Sequence, residues 1–152
     1  MPKKTPKQLL KDLDSSDVSV RAAAASNPNA TLKVLMKALE DKSGIVRSSA
    51  VRNPNATAEV LMKALGDKKK DVRYCAAYNP NATPEILAKA IEHKDEWVRY
   101  YVARNSNATP ELLLKAMEDK HKDVCIAAKD RLKENPFLQL QVAALRAQKD
   151  AS

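Results

Sequence analysis

A chain of 152 residues, 44% apolar but only 4% aromatic, is long enough for one ordinary domain and must close its core with small aliphatic side chains rather than rings. Two glycines and an abundance of Ala, Leu, Lys and Glu favour helix, because these side chains lose little rotamer freedom in it. The formal charge of +8 admits an acidic partner, while Cys75 and Cys125, without a CxxC pair or a histidine at ligand spacing, indicate neither a metal site nor a disulfide framework.

The first segment, "MPKKTPKQLLKDLDSS", is basic but has no apolar run of signal-peptide length, and no later segment approaches a membrane span. A cytoplasmic setting without membrane contact is therefore expected. Thr5, Leu9, Lys11 and Leu13 stand 26 residues ahead of Thr31, Leu35, Lys37 and Leu39, so residues 1–16 form a half-repeat that caps the start of an array. Residues 17–42 then match 43–68 at sixteen positions, and the register continues through 69–94 and 95–120. Four tandem repeats result. In each, two short helices are predicted: Val20, Ala23, Ala24 and Asn27 share one face of the first, and Leu35, Ala38 and Leu39 share a face of the second.

Between them lies "NPNAT", which returns at Asn53 and Asn79 and, as "NSNAT", at Asn105. Proline excludes its predecessor from the helical region, so Asn27 closes the first helix, and the Thr31 hydroxyl is expected to cap the second. Thr83-Pro84-Glu85 and Thr109-Pro110-Glu111 add proline at the first helical position and a carboxylate in the first turn. Asn-Ala-Thr is also the N-glycosylation pattern, but without a secretory signal the capping role is preferred. After residue 120 the repeat fades, and Asn135-Pro136 opens a helix with Leu138, Val142 and Leu145 on one side. Residues 121–152 thus comprise a partial repeat and a capping helix. Neither helix of a repeat buries its apolar stripe alone, so the repeats must stack. The expected fold class is all-α: a right-handed helical-repeat solenoid, or superhelix, of about four two-helix repeats with half-repeat caps.

The combination of "VR" opening one helix, "NPN" closing it and "TPE" followed by Leu opening the next resembles the leucine-rich repeat variant family, a relative of HEAT-like helical repeats, over about residues 5 to 128. That resemblance implies alternating short helices in a superhelix and a role as a binding scaffold. One known member carries a cysteine-rich iron–sulfur segment; this chain has no such cluster, so no cofactor is carried over. In HEAT-like repeats the equivalent of Arg21, Arg47, Arg73 and Arg99 pairs with an acidic residue, for which Asp41, Asp67 and Asp119 are available. The alternative is an arginine ladder for phosphates.

Two further rows bear on function. Lys11, Lys37, Lys63, Lys89 and Lys115 lie opposite the core leucines of their helices, where they form either a phosphate-binding row or a solvated face. Glu59, Glu85 and Glu111, four residues ahead of a lysine, favour the solvated face through helical ion pairs. The residues at positions 22 and 26 of the repeat, expected to point outward, run Ala22/Ser26, Ser48/Arg52, Tyr74/Tyr78, Tyr100/Arg104 and Ile126/Asp130. With Trp97 they give a candidate partner-binding set of Arg52, Tyr74, Tyr78, Trp97, Tyr100 and Arg104, residue types that dominate binding hot spots. His93 and His121 have no nucleophile or base at a meaningful spacing, so no catalytic residue is assigned. The expected function is a non-enzymatic scaffold binding a protein or peptide of acidic character. A nucleic-acid binder is the alternative, and a HEAT-like DNA glycosylase using Trp97 and Asp95 is a remote one.

Overall fold

A computed structural model describes residues 4–152. Among them are eleven helices and no strand, and the chain divides into two compact units, 1–81 and 82–152. The division falls inside the third "NPNAT". A repeat array touches only neighbouring layers, so it has no single core that binds every layer into one unit.

The first unit contains α1 (Pro6–Asp12), α2 (Val18–Ala25), α3 (Leu32–Leu39), α4 (Gly44–Arg52), α5 (Ala58–Ala64) and α6 (Lys70–Tyr78). Here α2, α4 and α6 pack in succession, as do α1, α3 and α5. The second unit contains α7 (Pro84–Ala90), α8 (Glu96–Arg104), α9 (Pro110–Met117), α10 (Lys122–Lys133) and α11 (Pro136–Asp150), with α10 packed on α8 and α9, and α11 on α9 and α10. The core of the first unit includes Val34, Leu35, Val60 and Leu61 and that of the second Ile86, Leu87 and Leu113, all buried, with alanines closing the space around them. Small side chains let the helices approach closely, as the aromatic-poor composition requires.

The buried stripe of the first helix differs from the expected one. Ala23 is exposed, and Arg21, Ala24 and Ala25 are buried instead. The helix turns because its arginine is an interior residue. Arg21 pairs with Asp41 through two hydrogen bonds of 2.7 and 3.2 Å, Arg47 with Asp67 at 2.7 and 2.9 Å, and Arg99 with Asp119 at 2.6 and 3.0 Å. Each guanidinium also donates to the two carbonyls before its helix, as Arg47 does to Asp41 O and Lys42 O and Arg73 to Asp67 O and Lys68 O. Each aspartate accepts the amide two residues on, from Ser43, Lys69 or His121. One buried fork therefore ties together a helix, the loop before it and the next loop.

"NPNAT" does more than end a helix. The buried Asn53 amide donates to Ala25 O at 2.8 Å and Asn27 O at 2.9 Å in the preceding repeat, and Asn55 donates to Pro28 O and Ala30 O at 2.8 and 3.0 Å. Asn79 and Asn81 repeat the pattern on Val51 O, Pro54 O and Ala56 O, and Asn107 on Ala82 O. Meanwhile the first asparagine's Oδ1 accepts the amide of the second, at 2.9 Å in both Asn27–Asn29 and Asn53–Asn55. The glycosylation reading fails on this geometry, since the sequon nitrogen of Asn55, Asn81 and Asn107 is already a donor to another repeat.

Capping depends on the residue after the threonine. Thr5, Thr83 and Thr109, each preceding a proline, accept amides from Gln8, Ile86 and Leu112 at 3.3, 3.5 and 3.4 Å. Thr31 and Thr57, which precede Leu32 and Ala58, occupy the cap position without a side-chain cap bond, contrary to the expectation for Thr31. Proline pre-sets the first helical φ and so holds the cap geometry that the others leave to chance. In the fifth layer Arg131 stands where the others have asparagine and Leu132 where they have proline or, in the fourth, Ser106, and α10 runs on to Lys133 before Asn135 caps α11 at Leu138 N.

This packing leads to three expected outcomes. Asn53→Ala removes two hydrogen bonds to the preceding repeat, on Ala25 O and on Asn27 O, which keeps only the Ala30 amide, and should lower unfolding free energy by about 1–3 kcal/mol in a denaturant titration. Thr83→Ala should cost about 0.5–1 kcal/mol, and Thr57→Ala measurably less, because only Thr83 makes the cap bond. For Asp41 and Asp67, burial pushes the carboxyl pKa up, but the arginine and amide hydrogen bonds outweigh it and hold the pKa below the ordinary value; for Asp119 the Arg99 hydrogen bond leads. With folded pKa values depressed, their stabilisation is fully present above the unfolded value of about 4 and is lost as pH falls below it. The thermal midpoint should accordingly fall as pH drops below about 4, and less steeply in Asp67→Asn.

Candidate functional site

The six candidate partner-binding residues divide equally between the units. In the first, Arg52 ends α4 with its guanidinium exposed, its Nε 3.1 Å from Cys75 Sγ and its Nη2 3.4 Å from Ser48 Oγ. Tyr74 is half-buried on α6, and Tyr78, at the end of that helix, is 56% exposed. Position 22 of the repeat is therefore not uniformly outward. Ser48 is buried beside Arg52 and donates to Ile45 O at 3.0 Å.

In the second unit Asp95 caps α8 by accepting Trp97 N at 3.1 Å, which places Trp97 in the first turn. Its indole is 41% exposed and lies edge-on to the half-buried Tyr100, with ring centroids 5.3 Å apart and planes at 65°. Tyr100 is in turn edge-on to Tyr101, also at 5.3 Å. Three rings on one helix thus brace one another in the T-shaped geometry that ring quadrupoles favour. Arg104, one turn on from Tyr100 at the helix end, is exposed.

Lys11, Lys37, Lys63, Lys89 and Lys115 are exposed, but the helical pairs expected of Glu59, Glu85 and Glu111 do not form. Lys37 Nζ instead meets Asp14 at 2.6 Å and Leu10 O at 3.1 Å, Lys63 pairs with Glu40, and Lys115 pairs with Glu92. The three carboxylates lie in the preceding layer, at an offset of 23 residues. The Glu85 and Glu111 carboxylates are engaged by the Thr83 and Thr109 hydroxyls, which hold their pKa values low. The 23-residue offset was visible in the sequence, where position 66, ahead of Lys89, is glycine. It becomes meaningful only once the layers are known to stack.

No family model matches this chain, and no curated protein matches it. Among solved structures, one described as a leucine-rich repeat variant with a novel repetitive protein structural motif aligns over 93% of this chain, with a TM-score of 0.65 and 23% identity. The fold is that of a leucine-rich repeat variant. The chain spans 61% of the length of that structure.

Within this leucine-rich repeat variant fold the remaining chemical candidates have assigned partners. Asp95, the acid considered beside Trp97, is a helix cap. His93 Nδ1 accepts Asp95 N at 3.0 Å at the edge of a cavity of about 430 Å³, whose charged lining includes the Arg99–Asp119 and Lys115–Glu92 pairs together with Lys94, Glu118 and Lys120. Among the described residues no three His, Cys, Asp or Glu side chains are grouped to hold a metal, and no helix is long and apolar enough to cross a membrane. Features that sequence reasoning missed are the exposed Ile45, Phe137 and Leu140. Their signal was weak, since single apolar residues on a helix face carry no periodicity of their own.

The sequence leads one to expect both Tyr78→Ala and Tyr100→Ala to be nearly neutral for stability; for Tyr100 the ring geometry changes that. Tyr100→Ala, which removes both edge-on contacts, should lower unfolding free energy by about 1–2 kcal/mol in the same titration.

Proposed function

We propose that this chain is a non-enzymatic repeat scaffold that binds a protein or peptide of acidic character through Tyr, Trp and Arg side chains on the first helices of its repeats. The observation that carries this reading is the Trp97–Tyr100–Tyr101 cluster, a large half-open indole braced by Tyr100, which is itself braced by Tyr101, before any partner arrives. A rigid aromatic anchor loses little side-chain entropy on binding, which is why such residues concentrate binding energy. The registers that hold these rings hold Ala22, Ser26 and Ser48 in earlier repeats, so the fold itself does not require them. Arg104 on the same helix, and Arg52 with Tyr74 and Tyr78 in the first unit, extend the same chemistry. A reducing cytoplasmic setting fits the two half-buried free thiols, Cys75 and Cys125.

The nucleic-acid alternative loses support from the lysine row, because Lys37, Lys63 and Lys115 already meet carboxylates. Trp97 is the chain's single tryptophan, so its fluorescence reports directly on the proposed surface. Peptides selected from a displayed random library against the full chain should be rich in Asp and Glu and should shift Trp97 emission. Their affinity should fall about tenfold or more in Trp97→Ala and in Arg104→Ala. Selected peptides that leave both the emission and the variants' affinities unchanged would place binding elsewhere. A gel retardation of DNA or RNA that weakens steeply with added salt would favour the nucleic-acid reading instead.

A further inference from the structure

The end of the second unit carries a groove distinct from the aromatic cluster. Because α10 lacks the asparagine that stops the earlier first helices it runs to twelve residues, and α11 follows from Pro136. Between them is a cavity of about 320 Å³ floored by Met117, Leu132 and Val142 and rimmed by Lys129, Lys133 and Arg146. Among the described residues no carboxylate lines it. Lys133 meets Asp130 on the exposed side at 3.0 Å, and Glu118, close enough to Arg146 to feel its charge, is taken by Lys149 at 2.7 Å. Lys129 is the telling residue. Its register holds Ala25, Val51, Ala77 and Ala103 in the four repeats, all buried, yet here it holds an exposed cation.

We infer that this groove docks an acidic amphipathic helix of a partner protein, whose apolar anchors occupy the Met117, Leu132 and Val142 floor while flanking Asp or Glu side chains meet Lys129, Lys133 and Arg146. An apolar floor inside a rim of one sign selects for apolar residues flanked by the opposite sign, with the charges setting approach and register. The volume lies at the small end for ligand sites, which suits one or two side chains of a helix rather than a whole small molecule. A second copy of this chain would bring the same cationic rim toward itself about a twofold axis, so self-association is disfavoured.

The test uses the full chain and a fluorescein-labelled helical peptide with leucines at i and i+4 flanked by glutamates. Two controls replace the glutamates by lysine or the leucines by serine. The first peptide should bind, both controls should fail, and Lys129→Glu combined with Arg146→Glu should weaken binding about tenfold or more. Amide shift changes on titration should be confined to α9, α10 and α11. Circular dichroism must show the double variant folded; if it is not, Lys129→Ala alone supplies the comparison, with a smaller loss expected. Trp97→Ala should bind this peptide normally, which separates failure here from failure of the aromatic surface. Equal binding by the lysine control, an unaffected double variant, or shifts away from the groove would each overturn the inference. So would the absence of peptide binding beside rim-dependent binding of phosphatidylglycerol vesicles or a short single-stranded oligonucleotide.

Discussion

The side-chain amide that crosses from one repeat to the one before it is the constraint on which the rest depends. Carbonyls at the end of a helix have no partner within the helix, and in a stack of short helices such ends come once per repeat. In the preceding layer Asn53 and Asn55 reach the last carbonyl of α2, on Ala25, and three carbonyls of the turn that follows it, on Asn27, Pro28 and Ala30. Because donor and acceptors are 25 to 28 positions apart, inserting or deleting one residue within a repeat would break every bond in that layer. The strict period is thus a hydrogen-bond register as much as a hydrophobic one. It also explains why the helices end so abruptly. The two asparagines act as a pair, the first accepting from the second, and the pair forms alike with Pro54 or Ser106 between them.

The arginine forks perform the same service on the opposite turn. An ion pair withdrawn from water gains little over apolar packing unless its remaining donors are satisfied. Here Arg47 spends its donors on Asp67 and on two loop carbonyls, and Asp67 accepts the Lys69 amide as well. The result specifies geometry more than it adds stability. Where the array ends, the pattern is edited rather than dropped. Cys125 stands in the arginine register and donates its thiol to Asp119 O at 2.9 Å, a carbonyl of the kind the guanidinium takes elsewhere. Position 93, in the register of Asp41, Asp67 and Asp119, holds histidine.

Much of this was legible from internal repetition alone. The period, the helix pairs and the Asn-Pro stops emerge from matching the chain to itself, whereas the pairing of Arg21, Arg47 and Arg99 with aspartates is what the resemblance to HEAT-like repeats implies. What escaped depends on contacts between layers. The helical wheel assigned Ala23 inward because it scored arginine as polar, and it could not see that Arg21 finds its partners inside. Likewise the glutamates at i and i+4 were natural partners for the lysines on an isolated helix, but the stack offers Glu40 and Glu92 from the layer before. The candidate surface was legible as composition, through its rings and arginines. Its order was not, because edge-on packing of Trp97, Tyr100 and Tyr101 depends on rotamers that the spacing of residues does not determine.

The placement of the polar bonds produces a division of labour. Registers 21, 27 and 29 carry the forks and the ladder, and registers 20 and 24 carry the core, so a change at any of them is felt by the next layer. Registers 22 and 26 range from Ala22 and Ser26 to Tyr100 and Arg104, and a helix forms in each case. A scaffold built this way can acquire a recognition surface one residue at a time at little cost in folding, because the interactions that specify its geometry are elsewhere. Register 25 shows the complementary case. It stays small and buried while a further layer must close over it, and becomes Lys129 only in the last layer, where that requirement ends and a charged groove can form.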